Sequence, residues 1–355
     1  MSVVYIVECE FSIENPNSII KKVLLQTTEW ISLGYDVYIY SLKSNVRYHV
    51  NSKIIKVLGD EISKSDSAIR KLTKIWSISK KIKDDLENIR VDIIYTRYLL
   101  FTYYFKVVFK RYLVCMEINS NDEVEYKKYS LATKVYNRIT KKSLLNEVNG
   151  FVCVTNELKD YIAKYSSVRA EVIANGIKYV KRNLHSTNNT PRMVFVASPG
   201  NACHGYDILL DLADQLTEYK FDIVGYEGQT RGNVRHYGYL EKKDLENVLM
   251  NADFGISALA IERHGMYEAC PLKSREYYSY GLPVIGNYID TDIEDGKYYA
   301  HVNSHDIFET ATKIRNLVDY WEKVEDRKEK VLIFSEKRLE HKKKERKRMD
   351  FLISL

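Results

Sequence analysis

The chain has 355 residues, of which 45% are hydrophobic and 29% charged, and its formal net charge is +6 at pH 7. This length predicts two domains of ordinary size, and the apolar content excludes a disordered chain. Five scattered cysteines lack the spacing of a metal site and indicate reduced thiols. Without a signal-peptide pattern or an apolar run of roughly 20 residues, the chain is expected to be cytoplasmic, either soluble or peripheral at the inner face of the membrane.

The first half of the chain alternates short β-branched and aromatic runs with amphipathic segments of helical length. This alternation is typical of a parallel sheet wrapped by helices. Strands are predicted over 3–9, 36–42, 54–58, 92–98, 113–118, 150–155 and 171–174, and helices over 18–33, 69–89, 129–148 and 157–165. The polar, turn-rich residues 183–191 are interpreted as a linker between domains.

The second half repeats this alternation after the linker. Strands are predicted over 193–197, 221–224, 234–237, 254–257, 283–286 and 300–302, and helices over 206–216, 243–252, 272–280 and 306–321. From about residue 326 the chain is charged and helix-prone. The sequence therefore predicts an α/β protein of two doubly wound domains, over 1–182 and 183–334, with a ligand at the strand ends.

A short motif in the second domain predicts a phosphate site. Residues 267–276 read Tyr-Glu-Ala-Cys-Pro-Leu-Lys-Ser-Arg-Glu, and Gly-Leu-Pro-Val-Ile follows at 281–285. Pro271 suits the first position of a helix, because its φ is already helical and its missing N–H would be unpaired there. The amides of Leu272 and the next two residues would then point out of a helix end that carries about half a positive charge. Lys273 adds a full charge, and Glu268 and Glu276 on either side can bind hydroxyls, which together suits a sugar nucleotide.

This Glu-x7-Glu spacing, followed by a helix and Gly-Leu-Pro-Val-Ile, resembles the donor-binding signature of glycosyltransferase family 4, whose retaining enzymes have the GT-B fold. The resemblance implies two Rossmann-like domains that face a central cleft. It implies that Glu276 binds the nucleotide ribose and that Glu268 binds the donor sugar. The leaving phosphate would take the acceptor proton, so that no side-chain base, metal or other cofactor is expected. The last helix, about 335–355, would pack on the first domain, unless it is a frayed basic tail.

A second landmark, at residues 198–210, departs from the family pattern. Many family members have an Arg and a Lys there that meet the diphosphate, whereas this chain has Pro199 and His204. Its His-Gly-x-Asp sequence resembles a subgroup of bacterial polysaccharide transferases. We therefore expect Lys273 to neutralise the diphosphate. The predicted catalytic residues are Glu268 and Lys273, and the predicted donor-binding residues are Glu276, Leu272, Pro271, His204, Gly205 and Arg275.

The first domain offers two acceptor-side candidates, Glu117 and Asn119, which follow an apolar strand. They either contact the acceptor, at a place where family members often have a His, or form a simple turn. Asn175-Gly176 resembles the Asn-Gly that closes the first domain in the family. The Asp-x-Asp at 290–292 is interpreted as a turn and not as a metal site.

Lys and Arg outnumber Asp and Glu in residues 1–182, and the reverse holds in 183–326. The basic first-domain helices either meet anionic lipid headgroups or are solvated faces. No nucleic-acid-binding motif accompanies them, so nucleic acid is not an expected partner. The predicted function is transfer of a hexose from a nucleoside diphosphate sugar to a glycan or lipid-linked glycan in cell-surface polysaccharide synthesis. The alternatives are a non-catalytic GT-B subunit that binds a glycan or partner, and a GT-B sugar-nucleotide epimerase.

Overall fold

The computed structural model describes residues 1–63, 65–126, 129–179 and 188–355. The chain divides into two compact units. The first comprises residues 1–173 and 342–355, and the second comprises 174–341. The sequence placed the boundary later, at 182/183, and the interpreted linker lies inside the second unit. Of that linker, residues 183–187 lie outside the described residues.

The first unit contains an eight-stranded sheet in the order β4-β3-β2-β1-β5-β6-β7-β8. Its strands are β1 Ser2–Val7, β2 Asp36–Ser41, β3 Val46–His49, β4 Ile54–Val57, β5 Ile93–Arg97, β6 Leu113–Ile118, β7 Gly150–Cys153 and β8 Ala170–Val172. The pairs β2–β3 and β3–β4 are antiparallel, and the other pairs are parallel. All six residues of β1 are buried, as expected for a central parallel strand covered on both faces. The sequence reading missed β3.

Six helices flank this sheet in the first part of the chain. They are α1 Ser18–Ser32, α2 Ala68–Leu86, α3 Tyr103–Arg111, α4 Asp122–Glu125, α5 Leu131–Leu145 and α6 Asn156–Ala163. Polar side chains fix where they begin: Asn17, Thr102 and Thr155 each accept a hydrogen bond from an amide in the first turn of α1, α3 and α6. Caps of this kind explain why the predicted helix starts at 18 and near 157 agree with the structure.

The second unit contains a six-stranded parallel sheet in the order β11-β10-β9-β12-β14-β16, and a small parallel pair, β13–β15. The strands are β9 Arg192–Val196, β10 Lys220–Val224, β11 Val234–His236, β12 Phe254–Ile256, β13 Glu268–Ala269, β14 Val284–Gly286, β15 Ile289–Asp290 and β16 Tyr299–His301. The helices are α7 Tyr206–Gln215, α8 Lys242–Asn251, α9 Leu272–Ser279, α10 Ile307–Glu322 and α11 Arg327–Leu339. This doubly wound pattern is the one that the sequence predicts.

The last helix, α12 His341–Ile353, returns to the first unit. Met349 and Leu352 are buried in the same core cluster as the residues of β1. The indole N–H of Trp30 on α1 donates a 2.9 Å hydrogen bond to Glu345 of α12. These contacts show that α12 is an integral part of the first unit. Among the described residues, no helix has both the length and the hydropathy of a membrane span.

Candidate functional site

The start of α9 lies where the sequence places it, at Leu272. Pro271 is the N-cap, with φ −61° and ψ 140°. The sequence predicts it at the first helical position, which is one residue later. The amides of Leu272, Lys273 and Ser274 make no hydrogen bond within the part of the chain that the structure describes. Because the first amides of a helix have no intrahelical acceptor and carry the positive end of its dipole, they form an anion-binding end.

Tyr277 holds this helix end at the carboxyl edge of the sheet. Its hydroxyl accepts a 2.9 Å hydrogen bond from the amide of Val196, the last residue of β9. The same hydroxyl donates a 3.1 Å hydrogen bond to the carbonyl of Ile256, the last residue of β12. The first turn of α9 is thereby fixed beside the ends of two central strands, the position at which doubly wound sheets bind ligands. The sequence analysis did not single out Tyr277.

Lys273 places a buried amine in the first turn of α9. Its Nζ atom is buried without a hydrogen-bond partner among the described residues, and it lies 5.0 Å from the centre of the Phe195 ring. Burial lowers the pKa of Lys273 from 10.5 to about 7. A buried unpaired ammonium is unfavourable, because a buried charge needs a partner. An anion at the helix start would supply that partner.

His204 lies in the 3-10 turn Ala202–His204, which precedes α7. Burial and the charge of Lys273 lower the pKa of His204 to about 4, so the ring is neutral near pH 7. The carbonyl of His204 accepts a 3.1 Å hydrogen bond from the amide of Leu259, which ties the turn to the segment after β12. His204 thus lies near enough to Lys273 to feel its charge, and it is a neutral hydrogen-bonding group and not a second positive charge.

Gly205 allows this turn to sit close to the segment after β12. Its φ is +69°, a region that favours glycine, and a Cβ atom there would lie 2.8 Å from the Cβ of Leu259. Gly205 therefore has a structural role in placing His204, and it also forms the N-cap of α7.

Arg275 does not lie in the predicted role of a diphosphate ligand. Its buried guanidinium makes two hydrogen bonds to Asp290, of 2.5 and 2.9 Å, and one of 3.0 Å to Asp292. It also donates a 3.0 Å hydrogen bond to the carbonyl of Asn175, whose side-chain amide donates one of 2.7 Å to the carbonyl of Cys270. The Asp-x-Asp interpreted as a turn is therefore the carboxylate side of a buried ion pair. This network holds the segment that leads into α9.

The two predicted acids flank the helix start. Glu268 is half-buried in β13, whose parallel partner is β15, and Glu276 is exposed on α9. Each therefore presents a carboxylate on an element that is fixed next to the amides of α9. A sugar hydroxyl or a ribose hydroxyl is a suitable ligand for such a group, because an ionised carboxylate only accepts hydrogen bonds.

Glu117 is fully buried in the first unit. Its carboxylate accepts a 3.0 Å hydrogen bond from the Tyr5 hydroxyl and forms a 3.0 Å ion pair with Lys22. It accepts a 2.9 Å bond from Asn119, whose own amide oxygen accepts one of 2.6 Å from Lys22. Burial alone would raise the pKa of Glu117, but the charges of Lys22 and Arg348 hold it well below its usual range. The predicted acceptor contact by Glu117 and Asn119 is therefore not favoured, since these polar atoms already bind each other and Lys22.

A hollow of about 550 Å³ in the second unit lies away from these groups. It is lined by Arg192, the first residue of β9, whereas the α9 site adjoins Val196 at the other end of that strand. Arg192 is paired with Asp222 through hydrogen bonds of 2.9 and 2.8 Å. Within the described ranges, no group of three or more His, Cys, Asp or Glu side chains could hold a metal ion.

Comparison with known proteins adds independent observations. Residues 23–179, slightly less than half of the chain, match the family model described as Glycosyltransferase Family 4. Sucrose-phosphate synthase from Thermosynechococcus elongatus is similar in structure, with a TM-score of 0.71, 13% identity, and coverage of 99% of this chain and 98% of its own. The catalytic domain of starch synthase IV from Arabidopsis thaliana has a TM-score of 0.69, 9% identity, and the same coverage of 99% and 98%.

HepE from Anabaena, in complex with UDP, has a TM-score of 0.65 and 12% identity, and the match covers 100% of both chains. No curated protein sequence matches the chain. These structural likenesses extend over both units, whereas the family match lies almost entirely in the first. The chain therefore has the fold of GT-B glycosyltransferases, and its residues 23–179 match the model of glycosyltransferase family 4.

Proposed function

We propose that the chain is a retaining hexosyltransferase that uses a nucleoside diphosphate sugar and acts on a glycan or lipid-linked glycan of the cell surface. The observation that carries this proposal is the buried, unpartnered Nζ of Lys273 beside the free amides at the start of α9. A diphosphate is the ligand whose charge suits both groups. HepE has been solved with UDP and with UDP-glucose, which supports a nucleotide-sugar donor.

The chemistry follows from where charge develops. When the bond between the sugar and the phosphate breaks, the leaving diphosphate gains negative charge and the sugar ring becomes electron-poor. Preorganised donors aimed at such a charge contribute typically about 3–4 kcal/mol each to lowering the barrier. In this proposal the amides of α9 and Lys273 stabilise the leaving group, and His204 donates or accepts a hydrogen bond beside them. The cationic groups are those of the protein, and no step uses a metal.

The two flanking acids would bind hydroxyls. Glu276 would accept hydrogen bonds from the ribose, and Glu268 would accept hydrogen bonds from the donor sugar near the reacting carbon. The leaving phosphate would take the acceptor proton, so that Glu268 orients the sugar and is not a base. Replacing Glu276 should therefore weaken nucleotide affinity, whereas replacing Glu268 should lower the rate of sugar transfer.

Isothermal titration calorimetry with UDP, GDP, ADP and their glucose conjugates tests the site. We expect Glu276→Ala to abolish binding of the nucleotide that binds the wild type, while Glu322→Ala, an exposed acid at the end of α10, leaves it unchanged. Unaltered affinity in Glu276→Ala would contradict the assignment. Donor alone converted to an epimer would favour the epimerase, and donor binding without hydrolysis or transfer that depends on Glu268 and Lys273 would favour a non-catalytic subunit.

The location that we propose is the cytoplasm, at an anionic membrane surface. Leu131, Val135 and Ile139 of α5 are 75%, 47% and 73% exposed, and their spacing of four residues places them on one side of the helix. Arg138 and Lys142 of the same helix are also exposed. Apolar side chains rimmed by cations suit the interface of a membrane with acidic lipids. A lipid-linked acceptor would be available at that surface.

A further inference from the structure

A pocket of about 210 Å³ opens at the carboxyl edge of the first unit's sheet. Val7 ends β1 and Arg97 ends β5, and both line the pocket. The chain passes from β1 to β2 on one side of β1, whereas β5 pairs with its other side. The strand order therefore reverses at β1, and the crevice at such a reversal is where doubly wound sheets bind ligands.

Two cations of this pocket, Lys43 and Arg97, form no direct ion pair among the described residues. Lys43 and Arg97 are half-buried, and neither side chain forms an ion pair or a hydrogen bond with a residue in the described part of the chain. Other enclosed cations of this unit are paired: Lys141 lies 2.6 Å from Asp122, and Arg348 lies 2.7 Å from Glu345. Partly desolvated cations are unfavourable when unpaired, so the pocket has the charge of an anion site.

Four carboxylates also line this wall, and none forms an ion pair with Lys43 or Arg97 in the described part of the chain, although the charge of Arg97 helps to lower the pKa of Glu117. Glu117 is bound to Lys22, and Asp122 is bound to Lys141. The side chain of Glu8, the residue after β1, forms no ion pair or hydrogen bond among the described residues; burial raises its pKa to about 7, although the charge of Lys43 opposes the shift. Glu125 lies exposed in the same wall. When protonated, the Glu8 carboxyl is a hydrogen-bond donor. Two half-buried cations and the Glu8 carboxyl thus face a single small space, with the exposed carboxylate of Glu125 beside them.

We propose that this pocket binds the phosphate group of the acceptor. A phosphate ester carries about −1.5 to −2 charges near pH 7, which matches two cations. The planar fork of Arg97 can bind two phosphate oxygens, and Lys43 acts as a point charge. Tyr98 and Tyr126 also line the pocket, so the group that bears the phosphate would contact aromatic side chains. The assignment to the acceptor rests on the proposed function and narrows its substrate to a phosphorylated sugar or a lipid phosphate.

Calorimetry with inorganic phosphate and glucose 1-phosphate tests the pocket, in a Lys273→Met background so that the candidate donor site does not contribute. We expect Arg97→Met and Lys43→Met each to weaken binding about tenfold or more, because a hydrogen bond to a charged group contributes roughly 1.5–3 kcal/mol. Arg97→Lys should retain part of the affinity. Lys80→Met, an exposed lysine of α2, is the matched control and should bind as the background does.

Two further measurements distinguish a sugar phosphate from a lipid phosphate, and the phosphate pocket from the proposed donor site. Binding of a polyprenyl phosphate in detergent micelles but not of glucose 1-phosphate identifies a lipid phosphate, and the reverse identifies a sugar phosphate; both support the pocket. Equal phosphate affinity in the background, Arg97→Met and Lys43→Met proteins, with unchanged thermal unfolding, overturns it. Nucleotide binding by proteins that retain Lys273 is measured separately, so an absent phosphate effect with intact, Glu276-dependent donor binding overturns only the pocket.

Discussion

The titration of Lys273 makes nucleotide-sugar binding pH-dependent. In the unliganded protein its pKa lies at about 7, lowered from 10.5 by burial. A diphosphate at the start of α9 stabilises the charged form and raises the pKa again, because an opposite charge favours ionisation. Donor binding should therefore be accompanied by proton uptake whenever the pH is near or above 7.

The magnitude follows from linkage. With a pKa of about 7, Lys273 is mostly charged at pH 6 and roughly one-tenth charged at pH 8. If binding requires the ammonium, the affinity falls about tenfold between pH 6 and pH 8 and about tenfold more by pH 9. His204 stays neutral in the free protein over this range, because its pKa lies at about 4. The affinity for the nucleotide sugar therefore falls as the pH rises.

The assay is calorimetry with UDP-glucose, or with the nucleotide sugar that binds best, in buffers of different ionisation enthalpy. The phosphates of a nucleotide sugar do not titrate near pH 7, so uptake approaching one proton per site at pH 8 reports on the protein. Lys273→Met should bind weakly and without pH dependence, and His204→Asn should keep the proton uptake. A pH-independent affinity in the wild type, or proton uptake that persists in Lys273→Met, would refute the reasoning.

Two further predictions concern the first unit. Glu117→Ala should lower the free energy of unfolding by roughly 3–5 kcal/mol, measured by urea denaturation, because it leaves Lys22 buried without its carboxylate, whereas Arg348 keeps Glu345. A loss below about 1 kcal/mol, as expected for a surface pair, would contradict the role of Glu117. Leu131→Ser combined with Ile139→Ser on α5 should reduce co-sedimentation of the protein with vesicles that contain acidic lipid. The control Ile333→Ser, at an exposed position of α11, should not reduce it. Equal sedimentation of the wild type, the double variant and the control would argue against the proposed membrane surface.

The parts of the site that depend on local physics could be read from the sequence. Proline chemistry locates the start of α9 to within one residue, and the short strands follow from β-branched runs bounded by turns. The pairing of Arg275 with Asp290 could not, because a spacing of 15 residues has no periodic signature across two different elements. Glu117 is a stronger case. Its partners Tyr5, Lys22 and Arg348 come from three distant segments, so only the folded chain shows that it is enclosed.

The comparisons and the motifs also inform different halves of the molecule. The family model matches residues 23–179, whereas the Pro-Leu-Lys and His-Gly motifs lie after residue 200. The first half matches the family model over a long stretch, although it offers few short motifs. The second half offers motifs that depart from the common Arg and Lys, and the sequence already assigns the charge to Lys273. The structure adds that the Nζ atom of Lys273 is buried without a hydrogen-bond partner among the described residues.

The return of α12 to the first unit has a consequence for biosynthesis. Met349 and Leu352 belong to the core that contains β1, so this core is complete only after residue 352 has left the ribosome. At roughly 5–20 residues per second, translation from residue 173 to that point takes on the order of 10–35 s. During this interval the apolar side chains of β1 and α1 are not yet packed against α12, while the second unit is already leaving the ribosome. The first unit therefore completes its core only after the second unit has been synthesised.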